Sequence, residues 1–265
     1  MQHSAPWHAR LALVLALLLP VYFAAAALGT KFNLWSWQFG LLTLTALGGL
    51  VVMGAVALFA LVSLIVCLRR SPKLGWRSAL AGLLIPAAIM GFLMVSLAGA
   101  GSHPIHDVAT DTSNPPELSA KVMADRATAE ANPINAYDTP LGQTEQFAGA
   151  QPPLSQQTYA EIIAENYPDL KSLPLEKTSV DEAVNAVQLA MADMGMTQIR
   201  YNRESGTVEA LAETFWFGFK DDVVARVGED QIDFRSVSRV GQSDLGANSK
   251  RIMDLRDRIA EKLAR

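Results

Sequence analysis

Acidic residues are missing from the first 106 positions of this 265-residue chain; all 26 Asp and Glu lie at or after Asp107. Residues 1–100 carry six bases and no acid, a local charge of +6, whereas the remainder sets 16 bases against 26 acids, or −10. The whole-chain value of −4 therefore averages two chemically different parts. A surplus of Lys and Arg is also missing from the second part, which disfavours nucleic-acid binding, because neutralising phosphates needs that surplus. Cysteine is limited to Cys67, inside an apolar run, so an internal disulfide and a thiolate metal cluster are both excluded. No cluster of His and Cys supports zinc, and no motif calls for a cofactor.

What is present in the first part is apolar length. Leu11 to Gly29, Phe39 to Leu68 and Ala79 to Ala100 are each long enough to cross a hydrocarbon core of about 30 Å, and none contains a charge. The loop between the second and third holds Arg69, Arg70, Lys73 and Arg77; the loop between the first and second holds Lys31 beside Trp35 and Trp37. The positive-inside rule makes the basic loop cytoplasmic and the tryptophans the opposite interface. Residues 1–101 are thus expected to anchor the chain in a membrane, with the N-terminus cytoplasmic and residues 102–265 extracytoplasmic. The first segment ends in AAAALG, which also suits a signal-peptide cleavage site; its single n-region base and mid-segment Pro20 favour an intact helix. The spans carry hydroxyls such as Thr43, Thr45, Ser63 and Ser96 and no charged side chain, which disfavours transport. Gly48, Gly49 and Gly54 suit close helix packing.

The second part reads as an α+β domain. An extended segment, 102–112, meets Asn114, Pro115 and Pro116, which predict a short helix over about 117–126. Residues from about 127 to 158 lack periodicity and read as a loop or surface wrap. Ser179 and Glu182 form a capping box and Gly195 a stop, predicting a helix over 180–194 with Val180, Val184, Val187, Met191 and Met194 on its buried face. Four strands follow, 197–202, 207–217, 222–227 and 231–240, joined by short turns that suit an antiparallel meander. In the second of these, alternation predicts one wetter face. A last helix, 246–263, buries Ile252, Leu255, Ile259 and Leu263. The expected architecture is three transmembrane helices followed by a four-stranded antiparallel sheet flanked by helices.

Four blocks carry a family resemblance: DVATDTSNPP at 107–116, NYPDLKSLPL at 166–175, GTVEALAETFWFGFKDDVVARV at 206–227 and DFRSVSRVGQSDLGANSKRI at 233–252. Their order resembles DUF1499, a domain family of unknown function found in bacterial envelope proteins and plastids. The resemblance implies a fold and an envelope location, and supplies no activity.

The densest polar grouping lies in the last block. Asp233, Arg235 and Arg239 share one strand face, with Ser236 and Ser238 on the other, and Arg251 follows in the next helix. Arg239, Gly241, Ser243, Asp244, Gly246, Asn248 and Arg251 form a candidate site where guanidinium groups and free helix N–H groups surround an anion, from an envelope protein, a small molecule or a lipid headgroup. Asp111, Asp221, Asp222 and Arg235 are secondary candidates. The same residues have structural work available: Ser243 or Asp244 capping the helix, and the arginines pairing with Asp244, Asp221 or Asp111. A hydrolase reading takes Ser243 as nucleophile with His103 or His106 as base, although GQSDLG departs from a nucleophile elbow. Asp221, Asp222 and Asp244 could bind a hard cation, but FKDDVV reads more simply as a turn. The aromatic run Phe215, Trp216, Phe217 and Phe219 should be largely core, with alternation leaving either Trp216 or Phe217 for a protein or lipid surface. The balance favours a non-enzymatic binding or structural module over an enzyme.

Overall fold

The computed structural model describes residues 4–102, 104–176 and 178–264. The chain divides into two compact units, Met1–Ala98 with Thr214–Gly218, and Gly99–Glu213 with Phe219–Arg265.

The first unit contains α1 (Trp7–Lys31), a π-helical stretch Phe39–Gly48 that runs directly into α2 (Gly49–Arg69), and α3 (Trp76–Ser102). Trp7–Lys31, Phe39–Arg69 and Trp76–Ser96 are long and apolar enough to cross a membrane. Ala16, Leu19, Met53 and Val56 meet Ile85 and Ile89 between the helices, while many large side chains such as Leu17, Leu58 and Val95 face outward. Small residues allow the close approach: a Cβ on Gly82 would lie 3.0 Å from the backbone of Ala12. Gly48 and Gly49 sit against Tyr22 and Phe23, whereas Gly54 faces open space.

The second unit is a mixed helix and sheet structure. Its elements are β1 (Asp107–Ala109), α4 (Ala120–Thr128), α5 (Tyr159–Asn166), β2 (Leu173–Pro174), α6 (Val180–Asp193), β3 (Thr197–Asn202), β4 (Thr207–Glu213), β5 (Lys220–Val227), β6 (Gln231–Ser238) and α7 (Ala247–Leu263). The strands make one antiparallel sheet in the order β1-β6-β5-β4-β3, with β2 also pairing β6. The meander of four strands is as expected from its turns. The two additional strands arrive from distant sequence and cover the other edge of β6.

One sheet face is apolar. Val208, Ala210, Ala212, Val223, Ala225, Ile232 and Phe234 pack with Val184, Val187 and Met191 of α6 and Ile252, Leu255 and Ile259 of α7. The opposite face carries Glu209, Asp222, Asp233 and Arg235 and is buried as well. On the expected wet face of β4, Glu209 and Leu211 are buried under α4 and the segment before it, and Glu213 at the strand end is exposed.

Local signals explain several boundaries. The expected helix over 117–126 begins instead at Ala120, capped by Ser119, which accepts from Val122 N–H. Asn114 serves another purpose: its N–H and that of Ser113 donate to Asp111 Oδ1, closing an Asx turn. Residues 127–158 are more than a wrap, since Tyr137, Leu141 and Phe147 enter the core. Helix α5 starts at a capping box made by Thr158 and Glu161. The strand expected over 207–217 ends at Glu213; the following turn includes Gly218 at φ +67° and leaves both Phe215 and Trp216 exposed, at 70% and 52%.

Candidate functional site

The arginines of the candidate corner reach neighbouring carboxylates. Arg239 holds Asp222 in a two-point contact, Nε to Oδ2 at 2.9 Å and Nη2 to Oδ1 at 2.6 Å. Arg126, from α4, adds a third bond to Asp222 Oδ2 at 2.7 Å. Its hydrogen bonds to Asp222 are the first cause holding the Arg239 guanidinium above its ordinary pKa. On the other face, Arg251 Nη2 donates to Asp221 Oδ2 at 2.6 Å, and Nη1 reaches Ser236 Oγ at 3.0 Å and Asn248 Oδ1. Adjacent residues of a strand point to opposite faces, so Asp221 and Asp222 serve separate arginines and cannot share one cation.

The N-terminus of α7 is filled by its own chain. Asp244 Oδ1 accepts from Gly246 N–H at 2.8 Å and Oδ2 from Asn248 N–H at 2.9 Å, in the place an external anion would take. Burial raises the Asp244 pKa against these bonds. Gly246 begins the helix at φ +79°, and Leu245 before it sits at φ +56°. Asn248 is buried; its Nδ2 donates to His106 O at 2.8 Å and Ser238 Oγ at 3.0 Å, tying α7 to β6 and to the residue before β1. Gly241 turns at φ +87°, and its carbonyl accepts from Asn132 Nδ2 at 2.7 Å and Gln146 Nε2 at 3.1 Å. Ser243 Oγ accepts from Leu245 N–H at 3.1 Å.

The secondary candidates form two further centres. Asp107 accepts from Arg235 through Nε at 3.0 Å and Nη2 at 2.7 Å and from Tyr137 Oη at 2.6 Å, with the guanidinium over the Tyr137 ring at 5.1 Å. Burial alone would raise the Asp107 pKa; the Arg235 charge and these hydrogen bonds bring it below the ordinary value. Asp111 meets Arg226 at 3.2 Å, and Arg226 reaches Asp233 at 2.7 Å. Sequence reading did not find Arg126 or Tyr137, which come from the helix and loop that cover the ionic face. The proposed base His103 lies outside the described residues. His106 is fully buried against Tyr159, where burial lowers its pKa to about 4 and substrate has no approach to its ring.

An open cleft of about 410 Å³ lies beside Arg239, lined by Lys121, Asp125 and Thr128 of α4, Gln198 and Arg200 of β3, Leu211 of β4 and Lys220 of β5. Four cations thus face one carboxylate, Asp125, which Lys121 contacts. A β-bulge between Thr197 and Arg200, with Gln198 at φ +55°, sets this edge, and Arg200 Nη2 donates to Gln198 Oε1 at 3.1 Å. No run of sequence announces the cleft, because four separate elements build it.

The pattern of buried charges and short strands covers the region matched by one family model, that of a protein of unknown function (DUF1499), over residues 107–259. The chain belongs to the DUF1499 family. No curated protein and no solved structure matches it. In this DUF1499 chain the family region starts at β1, directly after the third apolar helix.

Proposed function

We propose that this DUF1499 chain is a membrane-anchored, non-enzymatic module of the cell envelope that binds an anionic small molecule or the anionic surface of a partner. Its support is the cleft, in which Lys121, Arg200, Lys220 and Arg239 surround a single acid on a domain that is otherwise acidic. Local positive potential of this kind recruits phosphate or carboxylate groups despite an opposite net charge. Arg239, the one member of the sequence-based site in the cleft, keeps a structural bond to Asp222 while lining it. The remaining corner residues hold the strand and helix that carry Arg239.

The reading places the domain on the extracytoplasmic side of a bacterial inner membrane, with the N-terminus cytoplasmic. Its support is the loop bearing Arg69, Arg70, Lys73 and Arg77 between the second and third apolar helices. A reporter active only outside the cytoplasm, fused after Arg265, is expected to be active; a silent fusion overturns the orientation.

The binding reading is tested by retention of the detergent-solubilised chain on phosphocellulose. The unaltered protein should elute at clearly higher salt than the Arg200→Glu, Lys220→Glu double variant, with both melting within about 2 °C, since each exposed charge contributes under about 1 kcal/mol to stability. Equal elution of the two overturns the reading.

A further inference from the structure

The cleft beside Arg239 lies wholly within the second unit, and its guanidinium groups are fixed by the protein's own bonds. Asp222 takes the Nε–Nη2 edge of Arg239, and Arg126 bonds the same carboxylate at 2.7 Å. Arg200 is set by the β-bulge: Gln198 sits at φ +55°, a conformation that L side chains rarely adopt, and its amide oxygen takes Arg200 Nη2 at 3.1 Å. Other donors stay open. Arg239 Nη1, Arg200 Nε and Nη1, and Lys220 Nζ have no acceptor among the described residues. Guanidinium groups held in this way lose little freedom on bonding an anion.

Asp125 marks where negative charge is favoured. Lys121 bonds it across one helical turn; that bond first, and then the charges of Lys121, Arg200 and Arg239, hold the Asp125 carboxyl below its ordinary pKa. Cations from α4, from β3 and from the residue after β6 therefore act on one point. Setting Arg239 against Asp222, to which it is bonded, leaves Lys121, Arg200 and Lys220 against Asp125, a surplus of two positive charges. Two further acids stand opposite cleft residues in the register. Glu209, opposite Arg200, is buried and bonded to the N–H and Oγ of Ser119; Glu213, opposite Lys220, is not among the lining residues. Leu211 is the one hydrocarbon side chain in the lining, so the cleft suits a hydrophilic ligand. Its volume of about 410 Å³ falls within the range of about 300–1,000 Å³ typical of small-molecule sites.

We infer that the cleft takes the dianionic phosphoryl group of a hydrophilic phosphomonoester, with Arg200 and Arg239 on its oxygens, Lys220 beside it and Asp125 competing with it for Lys121. The inference rests on the anion-binding reading above and narrows its ligand to a soluble small molecule. A phosphomonoester offers three terminal oxygens to cations arriving from three elements, and it carries about two charges at pH 7. A phosphodiester or a carboxylate carries one. Either leaves part of the surplus unmatched, and a monoanion that draws Lys121 from Asp125 merely exchanges one such charge for another.

The test follows phosphorus NMR line widths of methyl phosphate, a dianion at pH 7.5, and dimethyl phosphate, a monoanion, with the full chain in a phosphorus-free maltoside detergent. Methyl phosphate should broaden and bind about tenfold tighter than dimethyl phosphate, with acetate as weak a competitor as the diester. Arg200→Glu with Lys220→Glu should abolish the broadening. Arg200→Lys conserves charge but loses the fork, and should weaken binding about threefold or more. Asp125→Asn should strengthen it by a similar factor. Equal binding of the two esters, lost in the double variant, keeps the anion-binding reading and overturns the dianion. Phosphocellulose retention that depends on Arg200 and Lys220 while neither ester broadens also keeps that reading, and overturns a small-molecule ligand. Broadening that survives the double variant lies elsewhere on the chain and overturns the inference. Unchanged affinity in Asp125→Asn overturns the competing role of that carboxylate. Dihexanoyl phosphatidic acid separates two bearers of the same group. If it displaces methyl phosphate at about the concentration inorganic phosphate needs, the soluble ligand is supported; displacement at about a tenth of that concentration overturns the soluble bearer in favour of a lipid.

Discussion

On one side of the sheet, Phe234, Val223 and Ala225 meet α6 and α7 through hydrocarbon, with one polar corner where Arg251 and Asn248 of α7 reach Asp221, Ser236 and Ser238; on the other, Asp222, Arg235 and Asp107 meet their partners through charge. The central residues of both sides are shut off from water, so the two differ in what specifies the packing. Apolar contact is roughly proportional to area and tolerant of rearrangement, whereas a buried carboxylate needs its donors at fixed positions. The ionic side therefore fixes which segments cover the sheet. Asp222 takes bonds from α4 and from the residue after β6, and Asp107 takes bonds from β6 and the loop at Tyr137.

The strongest challenge to this comparison removes one central group from each side. Phe234→Ala leaves a cavity on the apolar face and should cost about 3–5 kcal/mol. Asp222→Ala strands Arg126 and Arg239 and should cost a similar amount, about 3–5 kcal/mol, despite deleting far less hydrocarbon. Urea unfolding of the full chain in mild detergent reads both. A cost below about 1 kcal/mol for Asp222→Ala would reduce the ionic face to surface pairs of the kind that contribute little.

A titratable ring among the core aromatics gives the next test. Burial lowers the His106 pKa from 6.5 to about 4, against the Asp107 charge, which raises it; Arg126 and Arg235 lower it further. Between these values the unfolded chain binds a proton that the folded chain refuses. The contribution of neutral His106 is thus complete above about pH 6.5 and is lost as pH falls toward about 4, by up to about 3 kcal/mol. Asp244 has the opposite sign, because its raised pKa relieves part of its burial cost as pH falls. Stability measured from pH 7 to pH 4 should decline steeply, and His106→Gln should flatten most of that slope. An unchanged slope in the variant would assign the acid sensitivity to the carboxylates instead.

The two faces also differ in how far sequence reveals them. Helix α6 is legible because Ser179, Glu182 and the Val184, Val187, Met191 spacing agree; the hairpins are legible from RESG and GED. The apolar face follows from those periods. The capping signal TYAE at 158–161 was equally present, but Pro-rich surroundings hid α5. For the ionic face, residue types were visible and partners were not. Arg239 and Asp222 are neighbours through the β5–β6 register, Arg126 reaches Asp222 across 96 residues of chain and Tyr137 reaches Asp107 across 30, which no local pattern encodes. For the same reason the sequence shows β1 only as an extended segment. Likewise the exposed Phe215 and Trp216 depend on where β4 stops, a position that strand alternation carried too far.

The finest distinction comes from replacing partners together. Arg235→Met alone leaves the Asp107 charge buried, and Asp107→Leu alone leaves the guanidinium buried over Tyr137. Combining both with Tyr137→Phe removes the ion pair and its phenol at nearly constant volume, leaving the Pro116 carbonyl without its bond from Arg235 Nη1. Because the desolvation cost of the ions disappears with them, the triple variant should be more stable than either single variant, with a coupling of about 1–3 kcal/mol. A matched pair on the apolar face, Leu255→Ala with Ile259→Ala, has no such compensation, and its cost should equal or exceed that of each single change. The loop around Tyr137 supplies a second measure. If charge pairing selects its position, hydrogen exchange near Tyr137 should quicken in the triple variant even where global stability recovers. Slow exchange there would assign the placement of the loop to the hydrocarbon of Leu141 and Phe147.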